Sequence, residues 1–419
     1  MADNPPRLLE GYGAHPPRPQ WTAPNGEPAR LAVQFVINYE EGGENCLLNG
    51  DNQSEWLLSE IVGATPYEGV RHMNMESLYE YGSRVGFWRL HRMFTERNMP
   101  CTVFAVARAL ELNPQVATAM VEADWEIASH GYKWIDYKDF SCADEAEHIA
   151  MAIELHQHVT GSRPQGWYTG RCSEHTVDLV CEAGGFSYIA DSYADDLPYW
   201  HMHQDTPQLI IPYTLDANDM RFAAPQGFNA GDQFYNYLCD SFDALYREGA
   251  NGQPKMLSIG LHCRLIGRPG RIESLRRFID YIQSHDDVWC PRRIDIATYW
   301  QQTYPCDIET WQNRPSGMDK ASFLAQFSDI FELSPWVAEG AFMLELGPAH
   351  DTATGLHNAF CRVFRAASEQ QKLATLLAHP DLAGKLAAAK HLTKHSTDEQ
   401  ASAGLDALTD DEHKTFTDL

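Results

Sequence analysis

LAVQFVINYEEGGENCLLNGD, residues 31–51, is the stretch whose reading decides the fold. Leu31 to Ile37 is an apolar β-type run, followed at once by the polar string Asn38-Tyr39-Glu40-Glu41-Gly42. Runs of the same kind recur at Cys101 to Val106, Trp125 to Ala128, Phe186 to Ala190, Leu209 to Tyr213 and Met256 to Leu261. Helical periodicity fills the intervals, over Ser77 to Asn98, Ala143 to Val159, Glu174 to Cys181, Asp232 to Glu248 and Ile272 to His285. Strands alternating with helices predict parallel strands wrapped by helices, a barrel-like α/β domain. In such barrels the chemistry collects at the C-terminal ends of the strands. The polar, glycine-bearing segment from about Glu40 to Glu76 leaves the first strand at that end. It is long for a connection, which points to a functional loop.

Near Asn313-Arg314-Pro315-Ser316-Gly317 the β-type runs stop, and the chain to Leu419 reads as helices rich in Ala, Leu, Lys and Glu. Two domains are expected, 1–314 and a small all-α domain over 315–419. Ser334-Pro335 reads as an N-cap followed by proline at the first helical position, and Leu356 to Ala378 as one long helical pattern.

The 419 residues are 44% hydrophobic and 21% charged, a composition able to bury a large core. A formal net charge of -26 repels phosphate backbones and anionic membranes, so neither nucleic acid nor membrane is an expected partner. The ten cysteines form no C-x-x-C pair and no disulfide framework, and read as reduced, mostly buried thiols. The Pro-rich N-terminal stretch has no apolar signal region and no run approaches a membrane span, so a cytoplasmic home is expected.

Polar clusters follow the predicted strands. Glu40 and Glu41 are adjacent carboxylates, of which one can be perturbed into a general base while the other stays ionised; an acidic turn in solvent is the plainer reading. Ser129-His130-Gly131-Tyr132-Lys133-Trp134 offers a histidine that could be a ligand, a base or a cap. Trp167-Tyr168-Thr169-Gly170-Arg171 offers a permanent cation for a carbonyl or oxyanion, or a structural salt bridge. Gly260-Leu261-His262-Cys263-Arg264 places His262 as a general acid, or as a core histidine donating to a carbonyl. Each string is weak alone, and their shared strand-end position is what selects them. His201-Met202-His203, His156 and His158 lack that placement.

These strings resemble the polysaccharide deacetylase family, whose fold is a distorted TIM-like (β/α) barrel. Its motifs T-F-D-D-G, H-[ST]-x-x-H and R-x-P-[YF], and its late strand-end histidine, are matched by Asn38 to Gly42, by His130 to Trp134, by the region of Arg171 and by Leu261-His262. The resemblance would place a metal on Glu41, His130 and Trp134. Tryptophan is only a donor and coordinates nothing, and losing one of three protein ligands leaves a poor zinc site. With VQFVINYEEGGENCLLNGD and EIASHGYKW, the chain looks like the purine-utilisation allantoinases, relatives of the deacetylases that work without metal; the likeness covers roughly residues 1 to 310.

That resemblance implies hydrolysis of the cyclic amide of (S)-allantoin to allantoate, with no cofactor and no metal. Glu40 or Glu41 would activate water, His130 would orient it or share the proton, and His262 would protonate the leaving nitrogen. Arg171 would steady the oxyanion or a ring carbonyl, Trp134 would stack on the flat ring, and Tyr168 and Asn45 would complete the substrate-binding set. A homo-oligomer, a tetramer, is expected from the same resemblance.

The helical end resembles the decarboxylases that act on 2-oxo-4-hydroxy-4-carboxy-5-ureidoimidazoline (OHCU) and yield (S)-allantoin. It does so through Ser334-Pro335-Trp336-Val337-Ala338-Glu339, His379-Pro380-Asp381-Leu382 and Ser396-Thr397-Asp398-Glu399-Gln400. By that resemblance His379 and Glu399 would be catalytic, and Pro380, Ser396 and Gln400 would belong to the same site. Family members continue beyond the point equivalent to Leu419 and supply a substrate-binding arginine there, so this region is expected to be incomplete. Two other functions remain open: a metal-dependent polysaccharide or peptidoglycan N-deacetylase, and a non-catalytic scaffold for purine-degrading enzymes.

Overall fold

The computed structural model describes residues 11–204, 206–331 and 333–378. The chain divides into two compact units, Gly11–Cys306 and one that begins at Asp307. No helix among the described residues is long and apolar enough to cross a membrane.

In the first unit the strands are β1 (Leu31–Tyr39), β2 (Thr102–Ala105), β3 (Glu126–Ser129), β4 (Gly166–Trp167), β5 (Tyr188–Ile189), β6 (Tyr199–His203), β7 (Thr206–Ile210), β8 (Lys255–His262) and β9 (Val288–Trp289). They form one sheet in the order β6-β7-β5-β4-β3-β2-β1-β8, with β9 also pairing with β1. Every pairing is parallel except that of β6 with β7. The sheet curls into the distorted barrel expected, surrounded by helices.

Strand β1 is buried along its whole length, as its apolar run demands, and its alternation divides the core. Leu31, Val33, Phe35, Ile37 and Tyr39 pack under the helices with Phe87, Leu90 and Phe94. Ala32 and Val36 face the other way, into a cluster with Phe104, Ala128, Tyr168, Tyr188, Tyr213 and Met256 drawn from the other strands and their ends. That cluster fills the barrel interior.

The gap between the two ends of the sheet is spanned beyond β7. Gly260 of β8 donates its N–H to the Ala217 carbonyl and bridges to Asn218; a Cβ at Gly260 would overlap the Asn218 amide and the Tyr213 hydroxyl. Arg293 opens the helix Arg293–Thr303 and sends its side chain, fully buried, across the same interior. It donates to Gln34 of β1 (2.6 Å), Ser258 of β8 (3.1 Å) and the carbonyls of Ile211 and Pro212 beyond β7.

Several details differ from the sequence reading. The single helix expected over Ser77 to Asn98 is helix Met73–Tyr81, a π-helical turn Gly82–Gly86 and helix Phe87–Glu96. The turn seats two glycines where a Cβ would overlap the Glu41 carboxylate and the Cys263 carbonyl. His201 and His203, read as lacking strand-end placement, sit in β6, with His203 as its last residue; the alternation did not announce that strand's antiparallel pairing. The cysteines form no disulfide, but only Cys46, Cys101 and Cys263 are buried.

The second unit is helical over its described part: Ile308–Gln312, Lys320–Phe327, Trp336–Phe342, Ala353–Ala366 and Glu369–Ala378. Phe323, Val337, Ala338, Ala341, Leu356 and Phe360 form its core. The pattern from Leu356 to Ala378 is broken at Ala367, which is extended. Ser334 does not cap the helix that follows it; its hydroxyl pairs with that of Thr375 at 2.8 Å. His379, Pro380, Ser396, Glu399 and Gln400 lie outside the described residues.

Candidate active site

Parallel pairing puts the ends of β1, β3, β4 and β8 on one rim, and the chemistry-bearing strings come with them. Continuing the alternation of β1 past Tyr39 turns Glu40 toward the barrel interior and Glu41 toward the helix layer. The observed contacts agree. Glu40 Oε1 lies 3.4 Å from Nε2 of both His130 and His262, and its Oε2 accepts from Arg264 Nη1 at 2.6 Å. Glu41 accepts the N–H groups of Glu40 and Arg264, both at 3.1 Å, and fills the space left by Gly82. A cavity of about 250 Å³ borders Glu41 and Glu44, together with Glu76 and Glu80.

All four groups at the centre, Glu40, His130, His262 and Arg264, are buried. Burial alone would raise the Glu40 carboxyl, but the charges of Arg264 and His262 outweigh it and hold it well below the ordinary carboxylate value. Burial without so direct a partner dominates at Glu41 and Glu44, lifting them to about 7 and about 8. For His262 burial works downward, and the carboxylates of Glu40 and Asp219 reverse it, carrying the imidazole up to about 9. Asp219 Oδ1 sits 2.6 Å from His262 Nδ1, and its Oδ2 accepts the N–H groups of His262 and Ile266. The result is a chain of Asp219, His262 and Glu40, with the outer nitrogen of the imidazole committed and the inner one facing Glu40.

The long loop after β1 is ordered by one buried carboxylate. Glu55 accepts from the N–H groups of Trp56 and Leu57, from Asn45 Nδ2 at 2.8 Å and from Arg171 Nη1 at 3.0 Å. Trp134 is drawn in by its N–H bond to the Gly43 carbonyl, and its ring carries the Arg171 and Arg264 guanidinium groups at 4.8 and 5.3 Å. Tyr168 lies against His130, ring centroids 4.9 Å apart, with its hydroxyl bonded to that of Tyr193.

Of the residues singled out from sequence, Glu40, His130 and His262 converge directly. Trp134 and Arg171 form the next wall, Tyr168 borders His130, and Asn45 reaches Arg171 only through Glu55. Arg264, Asp219 and Glu55 were missed. Arg264 stood in the quoted string, two residues past His262, where an alternating chain returns to the same side. Asp219 and Glu55 carry no such signal, because each acts on a residue far off in sequence.

The positions that would hold the deacetylases' metal do not make a ligand set. Glu41 is spent on two N–H groups, Trp134 offers a ring, and a guanidinium occupies the charged contact with Glu40. Among the described residues no cluster of three or more His, Cys, Asp or Glu side chains is arranged to hold a metal ion.

Residues 75–184 match the family model of polysaccharide deacetylase, and residues 316–419 that of OHCU decarboxylase. A Schizosaccharomyces pombe protein provisionally named a polysaccharide deacetylase is 42% identical over 306 residues, 69% of this chain and 95% of that protein. The crystal structure of Puue allantoinase is similar at a TM-score of 0.70 and 56% identity, covering 72% of this chain and 99% of that one. The OHCU decarboxylase of Halalkalicoccus jeotgali is 38% identical over 101 residues, 24% of this chain and 53% of that protein. The chain thus spans about half the length of the decarboxylase it matches. Identity at this level over nearly the whole of the fission-yeast relative makes the chain a member of the polysaccharide deacetylase family, with an OHCU decarboxylase-like region at its C-terminal end.

Proposed function

We propose that the first unit is an allantoinase, which opens the hydantoin ring of (S)-allantoin to allantoate with protein side chains alone. The observation that carries this reading is an ionised Glu40 bracketed by two histidines and a guanidinium, with tryptophan where a third ligand would stand. The likeness to Puue allantoinase supports the substrate. A C-terminal region resembling an enzyme that yields allantoin supports the same purine-degrading role.

The steps balance without a further reactant. Glu40 takes one proton from water as its oxygen bonds to the ring carbonyl carbon, and the carbonyl electron pair moves onto oxygen. When that pair returns, the carbon–nitrogen bond breaks and protonated His262 gives its proton to the leaving nitrogen. That nitrogen belongs to a urea-like group, a far better leaving group than a simple amine, so less electrophilic help is needed than for an acetamide. Glu40 then hands its proton to His262, 3.4 Å away, which resets both groups. The new carboxyl group loses its proton to solvent.

His262 must be protonated to act as the acid, so kcat/KM is expected to fall as pH rises through about 9. Asp219→Asn removes one of the two carboxylates that lift this imidazole. The alkaline limb should move down by about one pH unit, and an unchanged limb in the folded variant would remove Asp219 from this role. The substrate is tested by supplying allantoin and, in parallel, an N-acetylated glucosamine oligomer to the full chain. Allantoate formation is expected, whereas acetate release from the oligomer with allantoin untouched would favour the N-deacetylase.

A further inference from the structure

We infer that Arg264 binds the oxygen that becomes negative during hydrolysis, an inference that rests on the hydrolase reading above. The guanidinium is 2% exposed. Nη1 is bonded to Glu40, and Nε approaches the Leu58 carbonyl at 3.4 Å. Its plane lies over Tyr79 at 4.2 Å and near Trp134. Nη2 is buried and has no hydrogen-bond partner among the described residues.

A guanidinium present only to keep Glu40 ionised would need one edge. Burying a second pair of N–H groups unpaired costs free energy, and such groups in folded proteins call for an explanation. Here they stand beside the carboxylate that activates water, and stay charged whatever the pH. Leu58, whose carbonyl faces Nε, is held at φ 46, a conformation that side chains other than glycine's rarely adopt. The loop is therefore strained at the point where it meets this arginine. Backbone strain of this kind clusters at functional sites.

The competing cation is Arg171, but its Nη1 is shared by the Glu55 carboxylate and the Trp134 carbonyl. Arg171 is thereby tied to the loop. Of the two arginines, Arg264 is the one that touches Glu40. An oxyanion forming on a carbonyl carbon attacked by Glu40's water would meet the free Nη2, while Nη1 still holds the base. Preorganised donors aimed at developing charge act in this way.

The test uses the full chain with Arg264→Ala and Arg264→Lys, with melting curves to confirm folding. Loss of one preorganised oxyanion donor lowers kcat by roughly 10²–10³-fold, and KM should move far less. The lysine variant restores a charge beside Glu40 but not the second planar donor, so it should stay at least about 10-fold below wild type. Added guanidinium ion, at concentrations that do not unfold the protein, should restore part of the alanine variant's turnover and none of the wild type's. A folded Arg264→Lys variant with wild-type kcat would overturn the inference, whether or not the alanine variant folds. Wild-type protein unable to open allantoin would overturn the allantoinase reading instead.

Discussion

Glu40→Gln is expected to lower turnover of allantoin by about 10³-fold, within the range a positioned general base contributes. The amide keeps the shape of the carboxylate but has one acceptor oxygen where Glu40 uses two, so it accepts either from Arg264 or on the histidine side, and it cannot take a proton from water. Replacing it also leaves Arg264 buried beside a neutral group, so some stability will be lost. Circular dichroism and a melting curve at the assay temperature separate that loss from the catalytic one. Glu41→Gln is the matched comparison: its side chain faces the helix layer and accepts N–H groups that an amide oxygen still accepts in part. Its turnover should remain within about 10-fold of wild type, the size of 1.4 kcal/mol in the barrier. Wild-type turnover in a folded Glu40→Gln variant would show that the base lies elsewhere.

Arg293→Ala should act on the fold rather than the chemistry. This arginine ties β1, β8 and the segment after β7 together inside the barrel, where Gln34, Ser258 and two carbonyls depend on it. Phe104, Tyr188 and Tyr213 surround its charge at 5.5 to 5.8 Å. Truncation would leave both a cavity and unpaired acceptors, at a combined cost of about 3–5 kcal/mol. Chemical denaturation of the first unit should show that loss, and its melting point should fall by roughly 10 °C. A change below about 1 kcal/mol would mean the seam is held by other contacts.

The legibility of the fold and of the site came from one property of β1. A strand buried on both faces reads as a continuous apolar run, and the first polar residues after it must lie on the rim. The same logic placed His130 and His262. It failed at β4, only Gly166–Trp167, and at β6, whose residues are of mixed polarity, and it read β7 too late, from Leu209 rather than Thr206, whereas the equally short β5 was read from its apolar run. Within the site, Glu40, His130 and His262 were readable by strand position. Asp219 and Glu55 were not, because their effect runs through His262 and Arg171 and depends on tertiary contact across 43 and 116 residues of chain. Which of Glu40 and Glu41 faces the two histidines also needed the structure, since adjacent residues differ only in the face they present.

The most direct measurement is metal content and turnover on one sample of the purified full chain. The protein should hold no stoichiometric metal and should open allantoin at an undiminished rate in excess chelator. A bound zinc ion whose removal abolishes turnover, and whose return restores it, would contradict hydrolysis by Glu40, His262 and Arg264 alone.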